Sequence, residues 1–265
     1  MGTAIGVVSL KGGVGKTSVV SALGDALASH GKKVLLVDGN LSSPNLGLHF
    51  NIVNPEISLH DVLEKNIRPS DAIHELEDFH VLPSSLFREF NKANSLKLRN
   101  KIAYLKRGYD VILIDSSPAL DEETLGVMLA SDSILVVTTP DHPTLSNTLS
   151  AVKLAKKRGI PIIGLILNKV YDKDFELSIE DIEEATDVPI MAVIPHDVAM
   201  LEALSECKSY PSFKKNSKGS EEFRKLAATL IGEKPESSKL KNFFKWINPK
   251  KQDINRTIYY EEVFR

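Results

Sequence analysis

Residues 4–18 read AIGVVSLKGGVGKTS. The apolar run Ile5 to Leu10 predicts a strand, Gly12, Gly13 and Gly15 a loop, and the residues that follow a helix. That order suits a polyphosphate, which needs many donors close together. Backbone N–H groups approach it only where no side chain intervenes, and glycine permits the approach. A helix opening near Thr17 aims unpaired N–H groups and its positive dipole end at the same anion. Lys16 adds a point charge on the outer phosphates, and Thr17 offers a hydroxyl to Mg2+. A chance glycine-rich turn is the plain alternative; the match across residues 11–17, between a strand and a helix, argues against it.

The ordinary phosphate-loop pattern places its first glycine five residues before Gly15, where this chain has Leu10, and a second lysine, Lys11, comes next. The spelling KGGVGKT resembles the deviant phosphate loop of the MinD/ParA family of ATPases. The resemblance implies ATP/ADP and Mg2+ as ligands, held along Lys11, Gly12, Gly13, Val14, Gly15, Lys16, Thr17 and Ser18. It also implies that Lys11 reaches the phosphates bound by the other subunit of a homodimer. A dinucleotide-binding fingerprint fits less well, because Ser18 stands where its third glycine or alanine should fall.

Composition is that of a soluble globular chain: 265 residues, 42% hydrophobic, 33 basic against 35 acidic residues and a formal net charge of −2. No global field favours nucleic acid. The single cysteine, Cys207, excludes an intramolecular disulfide and a cysteine metal cluster, in keeping with a cytoplasmic setting. None of the seven histidines pairs with a second His or Cys at ligand spacing, which leaves Mg2+ as the expected metal. No apolar run approaches the roughly 18 residues a membrane-spanning helix needs, and the N-terminus enters the first strand directly.

Helical spacing over Val19 to Ser29 ends at Gly31, and the short apolar run Val34 to Val37 ends in Asp38. Runs of this kind suit strands buried on both faces of a parallel sheet. Asp38 then projects from the carboxyl edge, where open parallel sheets bind ligands, although an aspartate capping a loop would read alike. The polar loop GNLSSPNLGLHF follows. In the family it is the first switch and carries an aspartate two residues after the first, where this chain has Asn40. A carboxylate accepts a proton from the attacking water and an amide only orients it, so slow hydrolysis is expected.

Ser58 predicts a helix start, PSDAIHEL a second short helical piece, and Phe79 to Leu82 a strand; residues 84–94 read as loop or short helix. The run Asp110 to Ile114 predicts a strand ending in Asp115, the second magnesium-side element of phosphate-loop ATPases. Its continuation, SSPAL over 116–120, resembles the family's second switch, closer to ParA than to MinD at Leu120. Further strands are expected over Ser133 to Thr139, Pro161 to Leu167 and Met191 to Ile194, and helices over Thr144 to Arg158, Ser178 to Ala185 and Gly219 to Ile231. Together they predict one α/β domain over 1–232, a doubly wound, mostly parallel sheet flanked by helices. The resemblance places Asn168 against the adenine base, where the alternative is a turn-forming asparagine, and Pro195 beside it. The catalytic set it implies is Lys11, Lys16, Asp38, Asn40 and Asp115, with Thr17, Asp38 and Asp115 around the metal.

Past Gly232 a polar linker, 233–238, leads to KLKNFFKWINPKK over 239–251, with five lysines and no acidic residue. Leu240, Phe243, Phe244 and Ile247 share one arc of a helix, with Lys241 and Lys245 opposite and Trp246 at the margin. An apolar face beside a basic one suits an anionic membrane surface; folding back on its own domain is the alternative. MinD proteins carry a similar C-terminal helix, and the resemblance spans residues 4–251. Residues 252–265 lie outside it, with no role assigned.

The expectation is therefore a MinD-like ATPase, peripheral on the inner face of the cell membrane. It forms an ATP-bridged homodimer, positions a structure such as the division site, and answers to an activating or cargo protein. A ParA-like DNA-partitioning ATPase, an ATP-bound scaffold with little hydrolysis, and a tyrosine kinase suggested by Tyr259 and Tyr260 are the alternatives. The kinase reading lacks its arginine-bearing motif after Asp38.

Overall fold

The computed structural model describes residues 1–65, 67–88, 97–233 and 250–264. Among these residues there are eight strands, β1 Thr3–Val8, β2 Val34–Asp38, β3 His74–Glu75, β4 His80–Leu82, β5 Val111–Asp115, β6 Ser133–Thr138, β7 Ile162–Val170 and β8 Ile190–Pro195. They form one sheet in the order β3-β4-β2-β5-β1-β6-β7-β8, parallel except for the β3–β4 pair. Every residue of β2 and β5 is buried. That is why these strands read as unbroken apolar runs: helices cover both faces, so neither face selects polar residues.

Among the described residues the helices are α1 Lys16–Ser29, α2 Leu59–Glu64, α3 Leu98–Leu105, α4 Glu122–Ala130, α5 His142–Arg158, α6 Ile179–Thr186, α7 Ala199–Ser205, α8 Tyr210–Phe213, α9 Lys218–Leu230 and α10 Lys251–Phe264. One core layer packs α2, α3, α4, α5 and α6 against the sheet through residues such as Ile102, Val127, Ala151 and Ile182. The opposite layer packs α1, α7, α8 and α9 through Leu23, Ala203, Tyr210 and Phe223. Helix ends follow local chemistry. Asp121, Asp141, Ser178 and Ser217 accept backbone N–H groups of α4, α5, α6 and α9, and α5 closes on Lys156, Lys157 and Arg158 before Gly159.

The doubly wound, mostly parallel sheet expected from the sequence is what forms. PSDAIHEL is a correction: it makes one 3-10 turn, Pro69–Ala72, and then enters β3. The Leu76 N–H donates to the Phe79 carbonyl and closes a hairpin onto β4, so these few residues satisfy their backbone by pairing where a helical stripe would be too short to bury. β7 runs past Leu167 to Val170, which pairs with Pro195, so Asn168 sits within a strand. The sequence reading does not include α4, α7 or α8. The expected membrane-facing residues Leu240, Lys241, Phe243, Phe244, Lys245, Trp246 and Ile247, and most of the 84–94 stretch, lie outside the described residues.

The terminal residues, without an assigned role in the sequence, form α10, which packs on β8 and α9. Arg256, 1% exposed, anchors it: its guanidinium donates to the Met191 carbonyl at 2.9 Å, to Glu222 at 3.1 Å and to Asp253 at 2.5 Å. Asn255 donates to Glu183 and to the Ile190 carbonyl. Removing one partner of a buried pair leaves the other desolvated. Arg256→Ala is expected to destabilise α10 by about 3 kcal/mol, against less than about 0.5 kcal/mol for the exposed Thr257→Ala. Denaturant titration together with amide exchange along α10 measures both.

Candidate functional site at the carboxyl edge of the sheet

The loop between β1 and α1 turns at Gly13 (φ 81°) and Gly15 (φ 86°), both left-handed. Gly15 has a second constraint, because a Cβ there would stand 2.5 Å from Asn168 Nδ2. Beyond Gly12 and Gly13 there is open space. Gly15 caps α1 without a side-chain acceptor, and no acidic residue lies in the first turn. The positive end of the helix therefore stays uncompensated and directed at the loop.

Directly below, β2 and β5 bring Asp38 and Asp115 into register as neighbours, both fully buried. The Lys16 ammonium donates to Asp115 and to the Ser116 carbonyl, and the Thr17 hydroxyl donates to the other Asp115 oxygen at 2.7 Å. Asp38 accepts the N–H groups of Asn40, Asn45 and Leu46 at 3.2, 3.1 and 3.0 Å. Burial, reinforced by the Asp115 charge, nevertheless pushes the Asp38 carboxyl up to about 7. Two acids and a hydroxyl on a small polar patch form an oxygen donor set of the kind Mg2+ takes, and a divalent cation there would relieve the repulsion that raises Asp38.

A cleft of about 310 Å³ opens over this patch, lined by residues 11–18 with Asn40, Asn45, Leu48, His49, Pro118 and Leu204. Asn40 Nδ2 donates to the Ser43 carbonyl, while its Oδ1 is buried without a partner. Asn168 Nδ2 donates to the Val14 carbonyl at 2.7 Å and its Oδ1 is likewise unpartnered. A second recess of about 250 Å³, on the far side of the loop, is lined by Lys11, Gly12, Gly13 and Val14 with Thr139, Asp141, Lys169 and Tyr171. Lys11 turns into it and donates to Asp141 at 3.2 Å and to Thr144 at 2.7 Å. Against the upward push of partial burial, hydrogen bonds from Thr139 and Thr144, and then the one from Lys11, hold the Asp141 carboxyl down at about 2.

The structure thus brings together Lys16, Thr17, Asp38 and Asp115 beneath the loop, with Ser18 and Asn40 in its cleft and Asn168 against its backbone. Pro195 ends β8 opposite Val170 and lines neither recess. Sequence reasoning did not single out Asn45, His49, Asp141 or Lys169, whose ammonium donates to the Gly13 carbonyl at 2.6 Å. Only Asp141 carries a readable signal, as the cap three residues before Thr144. Burial lowers the pKa of His49, which stands in the cleft wall.

A family model described as an AAA domain matches residues 2–162. The chain is 33% identical to an uncharacterised ATP-binding protein of Methanocaldococcus jannaschii, over 86% of this chain and 88% of that one. It is 30% identical to the septum site-determining protein MinD of Thermotoga maritima, over 88% and 89%. The septum site-determining protein MinD of Pyrococcus horikoshii, solved in complex with Mg-ADP, superposes with a TM-score of 0.79 at 34% identity, covering 92% of this chain and 98% of the other. With its lysine-first phosphate loop set over two buried aspartates, the chain belongs to the MinD/ParA family of P-loop ATPases.

Proposed function

We propose that this chain binds ATP with Mg2+ in the cleft over residues 11–18, pairs with a second copy while the triphosphate is bound, and in that state attaches to an anionic membrane surface. The observation that carries the reading is the convergence of Lys16, Thr17, Asp38 and Asp115 under an uncapped helix N-terminus. The Mg-ADP complex of the P. horikoshii relative supports the choice of ligand.

Gly12 to Ser18 hold the phosphates through backbone N–H groups, and Lys16 leaves Asp115 to pair with them. Thr17, Asp38 and Asp115 hold Mg2+, directly or through its water shell. When bound, the metal supplies charge neutralisation of the phosphates. Asn168 offers its unpartnered Oδ1 to the exocyclic amine of the base. Pro195 ends the strand that neighbours Asn168's. Asn40 orients water in the cleft but accepts no proton, so turnover is slow.

Lys11 must exchange its own Asp141 for the partner's phosphate, which makes it the residue that reports pairing. Residues 239–251 provide the membrane contact; they follow the linker that begins at Glu233, which pairs with His30 and Lys32, and their last residue, Lys251, is the first of α10. A ten-residue helix is only about 15 Å long and binds weakly as a single copy. In a dimer the second insertion becomes intramolecular and avidity rises by about 10². Nucleotide state thereby controls location, as the positioning of a division site or a cargo requires.

Three outcomes are expected. Under a saturating non-hydrolysable ATP analogue, light scattering reports a dimer for the native chain and a monomer for Lys11→Ala, which still binds nucleotide. Asn40→Asp leaves ATP affinity intact and raises turnover roughly tenfold or more; an unchanged rate removes Asn40 from the hydrolytic set. Anionic vesicles retain the protein with ATP and release it with ADP, and Phe244→Glu abolishes retention. Salt-sensitive, ATP-dependent binding to duplex DNA without vesicle retention would select the ParA-like reading instead.

A further inference from the structure

Glu123 lies in the first turn of α4 and is 1% exposed, yet no nucleotide-facing role falls to it. A first-turn acid that only complements a helix dipole does so from the surface. A carboxylate taken fully out of water needs partners, and Glu123 takes them from a different part of the chain. The Leu41 N–H donates to its Oε2 at 2.8 Å and the Ser42 N–H to the same oxygen at 3.0 Å, while the Ser42 hydroxyl donates to Oε1. Both donors directly follow Asn40, which lines the cleft.

The turn that bears Glu123 is itself tied to the loop after β5. The Ser117 hydroxyl donates to Asp121, the cap of α4, at 2.9 Å, and the Thr124 hydroxyl donates to the Ser117 carbonyl at 3.1 Å. Ser116, next in the chain, takes the Lys16 ammonium on its carbonyl. A path of hydrogen bonds joined by short stretches of backbone therefore runs from Lys16 through Ser116 and Ser117 to the first turn of α4, and through Glu123 to the backbone beside Asn40.

We propose that Glu123 is a positioning residue that clasps the loop after β2 to the loop after β5 and so holds Asn40 over the phosphate loop. The inference rests on the reading of this cleft as a site of ATP hydrolysis. When Lys16 leaves Ser116 for a phosphate, the first turn of α4 and the Leu41–Ser42 backbone respond together, because hydrogen bonds and one or two residues of backbone connect each to the next. Gln retains an acceptor for the two N–H groups, and the Ser42 hydroxyl can turn to accept from its amide. Ala leaves both N–H groups without their partner.

The test compares Glu123→Ala and Glu123→Gln by steady-state ATP turnover with Mg2+ and by hydrogen exchange at the Leu41 and Ser42 amides. Expected for Glu123→Ala are a kcat lowered roughly tenfold or more, KM for ATP unchanged within about twofold, and exchange at both amides faster by about tenfold. Glu123→Gln is expected to restore kcat to within about threefold of the native value. Ser42→Ala, which loses one contact and keeps the fold, falls between them. Unchanged exchange or unchanged kcat in Glu123→Ala, or a Gln variant as impaired as Ala, overturns the proposal. A native chain without any ATP turnover overturns the hydrolytic reading instead, and the exchange measurement then still decides whether the clasp exists.

Discussion

Asp38 and Asp115 stand side by side at the carboxyl ends of adjacent parallel strands, both removed from water, and the surrounding structure is arranged to make that tolerable. Burial first, and the charge of Asp115 second, push the Asp38 carboxyl up, and Asp115 accepts hydrogen bonds from Lys16 and Thr17. The same pressure shapes the backbone. The N–H groups of Asn45 and Leu46 turn inward to Asp38, and this gives the loop after β2 its path across the cleft. Such a pair is a poor way to stabilise a fold and a good way to prepare a cation site, because the charge needed to settle it arrives with the ligand.

The phosphate loop is held open by complementary means. Gly13 and Gly15 take a conformation other residues resist, and the carbonyls of Gly13 and Val14 are drawn back by Lys169 and Asn168. Drawing carbonyls back leaves N–H groups facing the cleft, as an anion requires. Lys11 occupies the other side of the loop and is neutralised by its own Asp141. That pair is partly exposed and therefore weak, which suits a lysine whose proposed task lies on another molecule.

α10 gives the chain an anchored end. Arg256 and Asn255 fasten it to β8 and α9, so residues 234–249 connect two helices of the same domain.

The strand-loop-helix order at 4–18, the aspartates ending two apolar runs, and the alternation of strands with helices were legible in the residues, because glycine geometry, burial on two faces and helix capping are local properties. Even the departure at Asn40 could be read there. Tertiary structure alone decided what those residues meet: that Asp38 and Asp115 share a register, that Lys11 finds Asp141 130 positions away, and that Glu123 holds the backbone beside Asn40. It also turned PSDAIHEL into a hairpin arm and gave the terminal residues a buried arginine anchor. Contacts of that range depend on which strand lies beside which and on what covers the sheet, and a residue's neighbours in sequence carry no record of either.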